Sequence, residues 1–150
     1  MPSIITLQGP PDSGKSTSIG MLLKSLPQQF NTDVILPRFR PNSIDFFTIV
    51  QINGVLVGIT SYGDSYNLIT QRCQPFIVAN CQIIICACHL EGRTVDAVNN
   101  IALQGYTWVH SIQKQPTTEN LRLQSDQAAV DAILGQISES FWWINRFGKS

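Results

Sequence analysis

The chain has 150 residues, 43% hydrophobic and 13% charged, which fits one globular domain over residues 1–150 and excludes a disordered chain. Ten basic and ten acidic residues cancel, so no overall field draws it to nucleic acid or anionic lipid. No apolar stretch approaches the roughly 18–20 residues that span a bilayer.

Ile4–Leu7 is a short apolar run bounded by turn residues, as a buried parallel strand should be. Met1-Pro2-Ser3 runs directly into it with nothing resembling a secretory leader, so a cytoplasmic protein with reduced thiols is expected. After Gly9–Gly14, the apolar spacing Ile19, Leu22, Leu23, Leu26 predicts a helix that Pro27 stops. Val34–Leu36 reads as a short strand before Pro37 and Pro41.

Phe46–Ile52 and Val55–Thr60 are β-branched runs separated by Asn53-Gly54, a dipeptide that supplies the two positive φ angles of a type I′ hairpin turn. A helix is expected from near Ser65 to about Cys73, with Pro75 disturbing its end. Ile83–Cys88 reads as a second fully buried strand. Thr94 is placed to cap a helix carrying Val95, Val98, Ile101 and Ala102, which Gly105 would end. Tyr106–Ile112 reads as the last strand. The final helix, about Ser125 to Phe147, carries Val130, Ile133, Leu134, Ile137, Phe141 and Ile144 on one stripe.

Strands alternating with helices predict a three-layer α/β domain. Its sheet would be mostly parallel, with about five or six strands and one antiparallel hairpin. Cys73, Cys81, Cys86 and Cys88 fall in a helix, a connector and a strand. Cys86-Ala-Cys88-His89 lacks the two-residue gap of zinc ribbons, and strand alternation sends Cys86 and Cys88 to one face, so core packing is expected there.

Gly9-Pro10-Pro11-Asp12-Ser13-Gly14-Lys15-Ser16 fits G-x-x-x-x-G-K-[ST], with a buried strand before it and an amphipathic helix after it. Such a loop curls so that successive N–H groups converge on phosphate oxygens, and the helix amino end adds its positive pole. Lys15 would bridge the β- and γ-phosphates, Ser16 would ligate Mg²⁺ and Thr17 would touch the α-phosphate. A glycine turn joining strand to helix would explain neither Lys15 nor Ser16.

On these residues the chain resembles the P-loop NTPase superfamily over about its first 26 positions. The later order, a hairpin before the next helix, looks like the branch containing Ras-like GTPases and some P-loop kinases. Where Ras-like proteins place D-x-x-G, this chain has Thr60-Ser61-Tyr62-Gly63 and then Asp64. Where they read guanine with N-K-x-D, it has Cys88-His89-Leu90-Glu91-Gly92-Arg93, so the resemblance implies ATP rather than GTP.

Ligands of open α/β sheets sit at the carboxyl ends of the parallel strands, which selects Asp64 and Glu91 and excludes Asp33 and Asp45. Asp64 is read as a magnesium carboxylate, as the cap of the helix starting at Ser65, or as both. Glu91 would position water or lie in a solvated loop. Arg93 would sense phosphate charge, cover the base or be a surface arginine. His89 would be an acid–base group or a packed loop residue. Arg38 and Arg40 would clamp a substrate or form an exposed edge. The expected activity is Mg²⁺-dependent ATP binding with slow hydrolysis, used as a switch, with Lys15 and Asp64 as the catalytic pair. A small-molecule or nucleotide kinase and a non-catalytic partner-binding module are the alternatives. The low charge content and the helical positions of Trp142 and Trp143, on either side of the apolar stripe, lead us to expect self-association through the last helix.

Overall fold

A computed structural model describes residues 2–10, 13–39, 47–61, 65–114 and 118–147, of which 36–39, 108–111, 119 and 143–147 are described by their backbone alone. The elements run β1 (Ser3–Gln8), α1 (Lys15–Gln29), β2 (Thr32–Phe39), β3 (Phe47–Ile52), β4 (Val55–Thr60), α2 (Tyr66–Val78), β5 (Ile83–Cys88), α3 (Arg93–Ala102), β6 (Thr107–Gln113) and α4 (Arg122–Phe147). A single 3-10 turn at Glu119–Leu121 leads into α4. No helix among the described residues is long and apolar enough to cross a membrane.

The strands form one mixed sheet in the order β2-β3-β4-β5-β1-β6. β4, β5, β1 and β6 pair in parallel, while β2-β3 and β3-β4 are antiparallel. Asn53 (φ 50) and Gly54 (φ 86) make the predicted turn between β3 and β4. The antiparallel part extends one strand beyond a single hairpin, because β2 runs through Pro37. Proline has no N–H to give a ladder, so it is tolerated on an edge strand, and the β2–β3 register is irregular between Leu36 and Phe39, around this residue.

Side chains alternate strictly along β5. Ile83, Ile85 and Ala87 pack with α1 and α4 on one face, and Ile84, Cys86 and Cys88 pack with α2 and α3 on the other. All four cysteines are free thiols within this second cluster.

Two prolines expected to end helices lie inside them. α1 continues two residues past Pro27, and α2 passes Pro75 to reach Val78. An interior proline costs about 3 kcal/mol relative to alanine. In α2 the adjoining Phe76 is fully buried, and transfer of such a side chain from water contributes about 1.5–3 kcal/mol, comparable to that cost. The ring lies where Gly58 of β4 has no side chain: a Cβ there would come within 2.6 Å of Phe76 Cδ1 and Cδ2.

Candidate functional site around the Gly9–Lys15 loop

β1 lies between β5 and β6, and its carboxyl end opens into α1 on one face of the sheet. The chain leaving the neighbouring β5 opens into α3 on the opposite face. Adjacent strands whose connections diverge in this way leave a crevice at their carboxyl ends, where α/β proteins bind ligands. The Gly9–Lys15 loop stands at that crevice.

Its described residues are fixed from three sides. Gly9 N–H donates to Cys88 O (3.1 Å), Ser13 N–H donates to Pro10 O (3.3 Å), and Lys114 N–H donates to Gln8 O (2.7 Å). A Cβ on Gly9 would meet Ser13 Oγ at 2.5 Å and Lys114 O at 2.7 Å, so only glycine fits there. Gly14 is the N-cap of α1 with φ 88, a left-handed conformation that favours glycine. Gly14 has no side chain with which to cap α1, and no acid occupies the first turn of the helix.

Lys15 is buried, and its Nζ donates to the carbonyl oxygens of Gly9 (2.7 Å) and Pro10 (3.2 Å). The ammonium is therefore drawn back over the loop from which it springs. Ser13 is also buried, and its Oγ has no hydrogen-bond partner among the described residues. Leaving a buried hydroxyl unsatisfied is costly, so this one calls for an explanation. Ser16 is half-buried and Thr17 exposed, both in the first turn of α1. Pro11 and Asp12 lie outside the described residues.

Sequence reasoning missed a pair behind the loop. Lys114, which follows β6, and Asp126 of α4 form an ion pair at 2.5 Å with side chains 2% and 4% exposed. Asp126 Oδ1 also accepts from Ser18 Oγ of α1 (2.9 Å), and Lys114 Nζ donates to Ser125 Oγ (3.0 Å). A Cβ on Gly14 would lie 3.2 Å from both Asp126 Oδ1 and Lys114 Nζ. The signal was present in the sequence. Asp126 lies one helical turn before Val130, so it heads the apolar stripe of α4, where a carboxylate requires a buried partner.

The carboxyl ends of β4 and β5 stand at different distances from β1. β5 stands between β4 and β1, so the Thr60-Ser61 end is two strand spacings, about 10 Å, from β1. Asp64, like Tyr62 and Gly63, lies outside the described residues. The capping of α2 falls to Ser65, whose side chain accepts from Leu68 N–H at 3.1 Å. The residue following β5 is the direct neighbour of the loop: His89 O accepts from Gln8 Nε2 (3.2 Å). His89 N–H donates to Thr94 Oγ1 (2.9 Å), so Thr94 ties that loop to α3, while the N-cap of the helix is Gly92 rather than Thr94. Glu91 and Arg93 are exposed. Arg40 and Asp45 lie outside the described residues, as does the side chain of Arg38.

Burial raises the thiol of Cys88 to about 12, helped by the neighbouring Cys86 and opposed by a hydrogen bond from Gln8 and by the charge of Lys15. Cys86 is raised well above its ordinary value, first by its hydrogen bond with Cys73 and then by burial. These thiols are protonated core groups at neutral pH. Among the described residues no cluster of three or more His, Cys, Asp or Glu side chains is arranged to hold a metal ion.

Comparison with family models, with curated proteins and with solved structures finds no match to this chain.

Proposed function

We infer that the Gly9–Ser16 segment is a P-loop that binds the phosphates of a nucleoside triphosphate, on a three-layer domain of the P-loop NTPase type. The observation that carries the reading is the seating of Lys15. Its ammonium is buried against the loop's own carbonyls at the amino end of α1, beside the left-handed Gly14 and a buried Ser13 hydroxyl that has no hydrogen-bond partner among the described residues. A glycine turn joining strand to helix needs no ammonium folded over its own carbonyls, and bringing a cation out of water is costly. A triphosphate would supply the opposite charge, bound by Lys15, the loop amides and the helix pole.

Ser16 would ligate Mg²⁺, and Asp64 would hold it through water. Glu91 is the rival carboxylate, because its loop follows the strand next to β1. Since Ser65 caps α2, Asp64→Asn should leave the melting temperature unchanged and lower the magnesium dependence of binding. ATP is the proposed nucleotide on the sequence argument alone. Slow hydrolysis used as a switch remains the proposed activity.

Titration with a fluorescent ATP analogue tests the reading, with unlabelled ATP and GTP as competitors. Lys15→Ala should weaken binding at least about tenfold, from the loss of a charge-assisted contact worth about 1.5–3 kcal/mol. Equal affinity in wild type and variant would overturn the P-loop reading. Stronger displacement by GTP would overturn the choice of base.

A further inference from the structure

We propose that the cleft between the amino ends of α2 and α3 is a second binding site, which takes the phosphate or carboxylate group of a small molecule through Arg93. The cleft has a volume of about 420 Å³ and is lined by Ser65, Tyr66, Asn67, His89, Arg93 and Thr94. That is within the range of small-molecule sites, roughly 300–1,000 Å³.

Among the described residues no acidic side chain lines it. Glu91 and Asp96 are near in sequence, but both are exposed and neither contributes to the wall. Among the described residues Arg93 forms no ion pair with a carboxylate. What holds it is aromatic: its guanidinium carbon lies 5.1 Å from the ring centre of Tyr66. The Tyr66 hydroxyl is in turn engaged by Asn100 Nδ2 from α3. A surface arginine ordinarily samples many rotamers. This one is braced by a neighbour that is itself braced, which lowers the entropy lost when an anion binds.

Arginine recognises carboxylate and phosphate with paired N–H donors, so a small oxyanion is the chemistry that fits. Ser65, Asn67 and Thr94 supply further polar groups for the rest of the ligand, and the Tyr66 ring supplies an apolar wall. The site is argued from its own lining. Its role as the place of a second ligand beside the nucleotide rests on the reading above, since His89 joins the cleft to the end of β1 through Gln8.

The test is ¹⁵N NMR of the full chain, following the Arg93 Nε–Hε signal and the Tyr66 and Thr94 amides. Inorganic phosphate and acetate are titrated separately, each with and without saturating ATP–Mg²⁺. A saturable shift with phosphate assigns a phosphate-bearing ligand, and one with acetate alone assigns a carboxylate. Arg93→Gln, at an exposed position, should weaken the response of the amides about tenfold. No saturable response to either anion overturns the proposal, and so does an unchanged affinity in Arg93→Gln. The Gly14 and Lys15 amides report nucleotide separately: if they do not move with ATP, the P-loop reading fails while the cleft is still tested by the nucleotide-free arm.

Discussion

Lys114 and Asp126 form a buried ion pair whose charged atoms lie 3.2 Å from where a side chain on Gly14 would begin, so the amino end of α1 rests against a charge pair contributed by α4 and the residue after β6. Removing one member leaves the other buried and uncompensated, which costs about 3–5 kcal/mol. Asp126→Asn should therefore lower stability sharply in urea denaturation. Replacing both members by apolar residues, Lys114→Met with Asp126→Leu, should restore most of that stability. If the pair positions the loop, the double variant will still bind nucleotide more weakly than wild type. Recovery of both stability and affinity would show that the pair fills space and nothing more.

Gly58 of β4 is required by the ring of Phe76. The strand cannot move far, because β4 is paired on both sides by β3 and β5. Gly58→Ala forces the fully buried ring out of its place, and overpacking of this kind costs about 1–3 kcal/mol. The midpoint of thermal unfolding should fall. Combining Gly58→Ala with Phe76→Leu should give a smaller loss than the two single changes added together, because one contact accounts for both.

The difference between what could and could not be read from the sequence has a physical cause. Short-range signals were reliable: the Asn53-Gly54 turn, the apolar run of β5 and the strand–glycine loop–helix at the start all depend on neighbours in the chain. The prolines misled, because Pro27 and Pro75 were judged by local propensity, whereas burial of Leu26 and Phe76 next to them is a tertiary effect. Strand order was least legible. Nothing within Val55–Thr60 states that β5 will stand between it and β1, and that single fact puts the loop of His89 beside the Gly9–Lys15 loop. Lys114 escaped notice because its partner is 12 positions away, on another element.

Trp142 is 49% exposed on α4, beside a residue that is not: Phe141 packs edge-on against Phe30 at 5.5 Å. The helix continues through this point to Phe147, so the indole is presented by regular structure and not by a fraying end. Half-exposed aromatic surface on a rigid helix commonly marks an interface. Light scattering at micromolar concentration should show a dimer or larger, and Trp142→Ser should give a smaller species. The side chains of Trp143 and Ile144 lie outside the described residues, so the prediction is carried by Trp142. A monomeric wild type would refute it.

The buried thiols set an alkaline limit on stability. Burial raises Cys81 from 9.0 to about 11. Cys88 rises from 9.0 to about 12, chiefly by burial. Below about pH 9 these thiols are protonated in both folded and unfolded chains, and the preference for the buried neutral form is fully present. Above that, the unfolded chain ionises while the folded chain does not, so the equilibrium shifts toward unfolding. Each such thiol lowers stability by about 1.4 kcal/mol per pH unit until its folded value is reached. Stability measured in urea should therefore decline from about pH 9 upward. Tyr106, raised from 10.0 to about 12 chiefly by burial, adds to that decline above about pH 10, and Cys88→Ala should flatten the cysteine part of it at the expense of a small cavity. At pH 8 a thiol-reactive dye should label the native protein slowly and the urea-unfolded protein at once. Rapid labelling of the native chain would mean that the cysteine cluster opens far more readily than its packing implies.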